Sequence, residues 1–251
     1  MRKIISTTVL SLLIAFATQA QEKIHLKISP EIGKSLNYEM TLKTDIEGAQ
    51  DIMMDMSMAM TILPTAQSDS IVTFEAKYTK VTMDVNAGIM MVSYDSSIAP
   101  EDEMGKAVAE QIKPLLENTL TLMMSRSGKI KNIDLPNVSE QAFDKSSLRG
   151  FALGYPEKPI SIGDTWTSTV TEEQLGANIT TTNTLVEKNA EGYKIMVNGV
   201  FLDEEKNELG KMDGYYIIDS KTHFTKSSSI NSTLALQGQK IATVLELKLI
   251  P

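Results

Sequence analysis

The stretch Ile52-Met53-Met54-Asp55-Met56-Ser57-Met58-Ala59-Met60-Thr61-Ile62 decides the fold class. Taken at every second position it gives Ile52, Met54, Met56, Met58, Met60 and Ile62. The positions between give Met53, Asp55, Ser57, Ala59 and Thr61. Side chains on a strand point alternately to opposite faces, so this is one long strand with an apolar face and a smaller, more polar one. A helix would scatter the same methionines around its circumference.

The neighbouring segments continue the pattern. Upstream, Leu36 to Thr44 puts Leu36, Tyr38, Met40 and Leu42 on one face, and Asp45 to Gly48 supplies a turn into the methionine strand, which Pro64 is expected to stop. Downstream, Ile71 to Val85 presents Val72, Phe74, Ala76 and Tyr78, then Val81, Met83 and Val85. Asn86-Ala87-Gly88 turns into a short strand, Ile89 to Tyr94. Gln21 to Ile28 alternates as a first strand. The period then changes: Met104, Val108, Ile112, Leu115 and Leu116 mark one helix face, with acids in the first turn and Pro114 expected to end or kink the helix. Strands at Thr119–Ser125 and Ile130–Ile133 flank the turn Arg126 to Lys129, and Asn137 to Leu153 is weakly helical. After a linker at Tyr155 to Pro159 come six Thr-, Val- and Ile-rich strands between Thr167 and Ile250. The expected fold is mainly β (α+β): a large curved antiparallel sheet or half-barrel with one or two helices packed against it. Ile32-Gly33-Lys34-Ser35-Leu36-Asn37-Tyr38 echoes Ile160 to Trp166 in its Ile-Gly-polar-small start and nearby aromatic, so residues 21–251 form one β-rich domain that divides into similar halves at about 21–155 and 156–251 if the echo is a repeat.

Residues 1–20 read as a cleaved signal peptide: Arg2 and Lys3, an apolar run from Ile4 to Ala17, then Thr18-Gln19-Ala20. No later run reaches the roughly 18 apolar residues of a membrane span. The chain has no cysteine, which excludes disulfides, thiol catalysis, thiolate metal sites and the lipid-attachment cysteine of a lipoprotein. The expected product is soluble and either periplasmic or extracellular. Without Arg2 and Lys3 it carries 22 basic and 32 acidic side chains, an excess that disfavours nucleic acid and anionic lipid headgroups.

No catalytic set is present. His25 and His223 are the only histidines and both read as surface residues. Phosphate-binding glycine loops and a Gly-x-Ser-x-Gly elbow are absent. Asp203 to Glu208 offers acidic oxygens without the spacing of a calcium loop and reads as a solvated hairpin tip. No cofactor is called for. The methionine face has three readings: ordinary core, a wall facing a hydrophobic ligand, and a soft-metal site, since thioethers select Cu(I) and alternate residues stand about 6.6 Å apart at a rise of ~3.3 Å. The ligand reading nominates Met54, Met56, Met58 and Met60 with Tyr38 and Met40 on the adjoining strand. It adds Val108 and Ile112 on the helix, and Trp166, the sole tryptophan, at a rim.

Several of these stretches also carry a resemblance. Gly33 to Tyr38, the methionine strand, Tyr94-Asp95-Ser96, Gly128-Lys129-Ile130 and Gly163-Asp164-Thr165-Trp166 together resemble an uncharacterised family of exported bacterial proteins, over nearly the whole chain after residue 20. Their layout is also similar to the lipoprotein-carrier (LolA/LppX-like) half-barrel, in which a curved sheet wraps helices around an apolar cavity. That resemblance implies a non-enzymatic binder of a lipid or acyl chain. A protein-interaction or sensory module of the cell envelope, its interior merely core, is the alternative. Nothing in the sequence identifies a protein partner.

Overall fold

The computed structural model describes residues 22–136, 154–172 and 176–251. The expected signal peptide and the weak helix at Asn137–Leu153 lie outside these residues. Twelve strands form a single curved, open antiparallel sheet: β1 (Leu36–Glu47), β2 (Ile52–Gln67), β3 (Ile71–Ala87), β4 (Met90–Asp95), β5 (Leu120–Ser125), β6 (Ile130–Asp134), β7 (Thr165–Glu172), β8 (Ala177–Lys188), β9 (Tyr193–Leu202), β10 (Glu208–Ile218), β11 (Thr225–Leu236) and β12 (Gln239–Ile250). The helix α1 (Glu103–Glu117) lies between β4 and β5. The strand order is β6-β5-β3-β2-β1-β12-β11-β10-β9-β8-β7, with β4 paired to the far part of β3. The first and last strands therefore meet in the middle of the sheet, with Met40 opposite Leu247 and Leu42 opposite Leu245.

The methionine strand has the expected facing. Met58 pairs with Met40 on one side and Val81 on the other, and Met56 with Leu42 and Met83. Met58 is buried, whereas Met53 on the opposite face is 55% exposed. Two register shifts shape the neighbouring strands. One, opposite Ala59 and Met60, brings both Tyr78 and Val81 to the inner face and accounts for the change from even to odd buried positions along β3. The other falls at Pro64. The strand does not stop there, because a bulge tolerates a residue with no N–H to donate, and the Pro64 carbonyl accepts from Gly33 N at 2.8 Å. That glycine and its counterpart in the echo, Gly163, have φ of 81° and 94°, so each opens its strand through a turn that favours glycine.

Other boundaries also move. The first hairpin turns at Gly48–Asp51, later than expected. The helix is capped by Asp102, whose Oδ1 accepts from Gly105 N at 2.8 Å, and it runs through Pro114 to Glu117 instead of stopping. Residues 22–30 alternate as expected but are not a ladder strand. Ile24 makes an isolated bridge with Ile160, Ile28 N donates to the Arg126 carbonyl, and Ser29 N donates to the Thr222 carbonyl. This strap buries Ile24, Leu26 and Ile28. Tyr155, placed by the sequence in a linker, is buried too and donates from N to the Ser127 carbonyl.

Two apolar clusters cover the inner face. One gathers the strap, Phe74, Tyr155, Ile160 and the inward residues of β8 to β11, among them Leu185, Ile195 and Ile218. The other gathers Met40, Met58, Ala76, Tyr78 and Val81 with Leu115 of the helix and Leu120. The helix makes its main contacts with β3 and β4. Met58→Ala should therefore lower the unfolding free energy by about 2–5 kcal/mol, while Met53→Ala stays within about 0.5 kcal/mol of the parent. Urea unfolding of both variants checks this; equal losses would contradict the register.

Candidate functional site

Where the two clusters meet, the packing leaves a cavity of about 120 Å³. Its walls come from both sides of the meeting line: Ile28 and Tyr155 from the first cluster, Met40, Ala76, Tyr78 and Leu120 from the second. Met60 and Met124 complete a wall with three methionines in it. Phe224 lies across one side, stacked on Phe74 with ring centroids 5.3 Å apart and edge-on to Tyr38 at 6.2 Å. Tyr38, Phe224 and Thr225 also line a more polar groove of about 400 Å³, so they form a partition shared by the two spaces.

The cavity takes some of the nominated residues and leaves others. Tyr38, Met40 and Met60 line it. Met58 is sealed in the cluster beneath the helix, with Met56 half-buried against it and Met54 one step further along the strand. The sulfurs of Met54, Met56 and Met58 thus occupy unlike environments. Ile112 packs on the second cluster, and Val108 is half-buried on α1 away from the cavity lining. Trp166 packs against the first cluster on β7 and donates from Nε1 to the Gly154 carbonyl at 2.6 Å.

Sequence reasoning missed His223. It is not a surface residue: it sits half-buried in the β10–β11 turn with φ of 51° and contributes to the cavity wall. Its Nδ1 is 3.1 Å from both the N and the carbonyl O of Lys27, accepting from the one or donating to the other according to tautomer. The turn is preset by Asp219, whose Oδ1 accepts from Lys221 N, Thr222 N and Thr222 Oγ1. Burial works to raise the Asp219 carboxyl, but these hydrogen bonds hold it below the ordinary carboxylate value. Burial lowers the His223 imidazole, against the opposing pull of the Lys27 hydrogen bond and of Asp219. His25, by contrast, is exposed as expected.

Three phenols complete the polar content of the walls. Tyr38 donates to the Thr225 carbonyl at 2.5 Å, and Tyr155 donates to the His223 carbonyl at 2.6 Å. Burial, and secondarily the charge of Asp219, pushes Tyr38 well above the ordinary phenol value. Burial does the same to Tyr155, with smaller contributions from Tyr216 and Tyr38. Burial alone pushes Tyr78 up to about 12. All three are neutral at any physiological pH. The cavity is thus an apolar space edged by hydrogen-bonding groups. Elsewhere, the Asp203 carboxylate is taken up by Asn207 N at 2.7 Å and Asn207 Nδ2 at 2.8 Å within its own turn. Among the described residues no three His, Asp or Glu side chains converge as metal ligands, and no helix is long and apolar enough to cross a membrane.

A model described as a family of unknown function (DUF6263) matches residues 69–148 and 136–237. Comparison with the curated proteins gave no match. Among solved structures the chain aligns with a domain described as an outer membrane lipoprotein-sorting protein from Vibrio parahaemolyticus, at 8% identity over 85% of each chain with a TM-score of 0.29. It also aligns with a DUF1329 family protein from Desulfovibrio piger, at 8% identity over 86% of each chain with a TM-score of 0.30. At these scores neither alignment bears on function.

The lowered His223 value gives a pH dependence with a definite sign. The unfolded chain binds the proton more readily than the folded one, so this residue's contribution to stability is complete above the ordinary value of 6.5 and is lost as pH falls from there through the folded value. Urea midpoints measured between pH 7.5 and about pH 5 should fall with pH in the parent and fall less in His223→Gln. Parallel profiles would show that the imidazole is not held neutral.

Proposed function

We propose that this chain, which belongs to the DUF6263 family of unknown function, binds a small hydrophobic ligand in the cavity between its two core clusters and catalyses no reaction on it. The observation that carries the proposal is the cavity itself, left open where two well-packed clusters meet and walled in part by Met40, Met60 and Met124. Methionine is flexible and polarizable, and it suits a wall that must adapt to its contents.

Size narrows the ligand class. A cavity of about 120 Å³ is smaller than the roughly 300 Å³ at which pockets for drug-sized molecules begin. It is close to the roughly 150 Å³ apolar void that admits benzene. A whole acyl chain does not fit. A single ring does, as does the end of a longer molecule whose remainder passes the Tyr38–Phe224 partition into the adjoining groove. Export to the periplasm or beyond, expected from residues 1–20, belongs to the same proposal. The alternative, an envelope interaction module, draws on the exposed tip of the β3–β4 hairpin, where Ile89 and Met91 are 105% and 75% exposed.

Native mass spectrometry of the protein isolated from a producing host tests the proposal. The parent should carry an excess mass that organic extraction removes. Met60→Asp, which puts a charge in the wall, should lose it, and Met54→Asp, outside the cavity, should keep it. A bare polypeptide mass in the parent, or equal loss in both variants, would count against the cavity as the binding site.

A further inference from the structure

Of the three phenols in the cavity wall, two are committed to the protein: Tyr38 to the Thr225 carbonyl and Tyr155 to the His223 carbonyl. Tyr78 differs. Its side chain is 3% exposed, and its hydroxyl has no hydrogen-bond partner among the described residues. Nor is that hydroxyl enclosed on every side: among the described residues the fully sealed side-chain polar atom without a partner is Asn183 Oδ1, on β8. A buried hydroxyl without a partner is costly, and native proteins rarely leave one so unless water or a ligand completes it. The space this residue faces is the apolar cavity.

We propose that Tyr78 is the polar anchor of the binding site, and that the ligand is a neutral, largely apolar molecule carrying one hydroxyl or carbonyl oxygen that pairs with the Tyr78 hydroxyl. This rests on the reading of the cavity as a ligand site. The neutrality follows from the walls. Among the described residues no Lys, Arg, Asp or Glu lines the cavity, and burial disfavours the charged form of His223. A carboxylate or ammonium brought there would lose its hydration with no opposite charge to replace it. A phenol hydroxyl donates and accepts, so an alcohol, a phenol or a ketone is matched equally well. One such hydrogen bond in an apolar pocket discriminates more sharply than a methyl group of similar size, because a ligand lacking the oxygen leaves the Tyr78 hydroxyl unpaired.

Toluene and phenol, nearly equal in shape, test this when titrated into the full chain and into Tyr78→Phe, with binding followed by calorimetry or by shifts of the cavity methyl resonances. The ratio of the toluene to the phenol dissociation constant should fall about fivefold from the parent to Tyr78→Phe, as expected for loss of one hydrogen bond. The melting temperature of the variant should equal or exceed that of the parent, since the hydroxyl it removes has no partner among the described residues. An unchanged ratio with both compounds still binding overturns the anchor and leaves the cavity standing. A lower melting temperature also overturns it, by showing that the hydroxyl is paired within the fold. Failure of both compounds to bind the parent saturably overturns the cavity reading and the anchor together.

Discussion

An open antiparallel sheet of twelve strands cannot cover its own apolar face, and the remainder of the molecule answers that constraint. Barrel closure would remove the difficulty by turning the face inward on all sides. Here the sheet stays open, and separate pieces of chain are laid on it. The helix covers β3 and β4. The strap at residues 22–30 and the segment carrying Tyr155 and Ile160 cover the other part, fixed less by ladder pairing than by single backbone hydrogen bonds to Arg126, Thr222 and Ser127. Burying Ile24, Leu26 and Ile28 contributes roughly 1.5–3 kcal/mol each, which outweighs what those few hydrogen bonds supply and makes the strap an apolar lid.

Covering one face with two unrelated pieces leaves a seam. The cavity lies in it, and its shape follows from what meets there: long methionines from three strands, aromatic rings from β1, β3 and the β10–β11 turn, and a histidine whose ring faces the strap and whose carbonyl accepts from Tyr155. The same burial raises the three phenols above their ordinary value and lowers the imidazole below its own. The cavity is therefore a consequence of how the sheet is covered and needs no dedicated loop.

Much of the fold could be read from local pattern. Alternation in β1, β2 and β3 identified the inward face residue by residue, and the change to a period of three and four located the helix. The misreadings share a cause. Pro64 was expected to end a strand because a proline lacks its donor, yet a bulge and a distant partner, Gly33, accommodate it. The strap alternates like a strand, and only the identity of its neighbours, a turn arginine and a turn threonine, shows that it pairs with no ladder. Site membership was less legible still. Met54, Met56, Met58 and Met60 are equivalent in sequence, but the helix lies over one end of the inner face and the seam falls at the other, so Met60 lines the cavity and Met58 is sealed. His223 gave no local signal, because its surroundings depend on groups reached only through the fold: Lys27 lies 196 residues away.

Diffraction from a crystal held under xenon pressure tests the central claim most directly, since xenon enters dry apolar cavities of this size without demanding a particular ligand. The account predicts a xenon peak bounded by Met40, Met60, Met124, Tyr78 and Phe224. Xenon bound elsewhere in the crystal with none in the seam would contradict it, and would make the two clusters one continuous core.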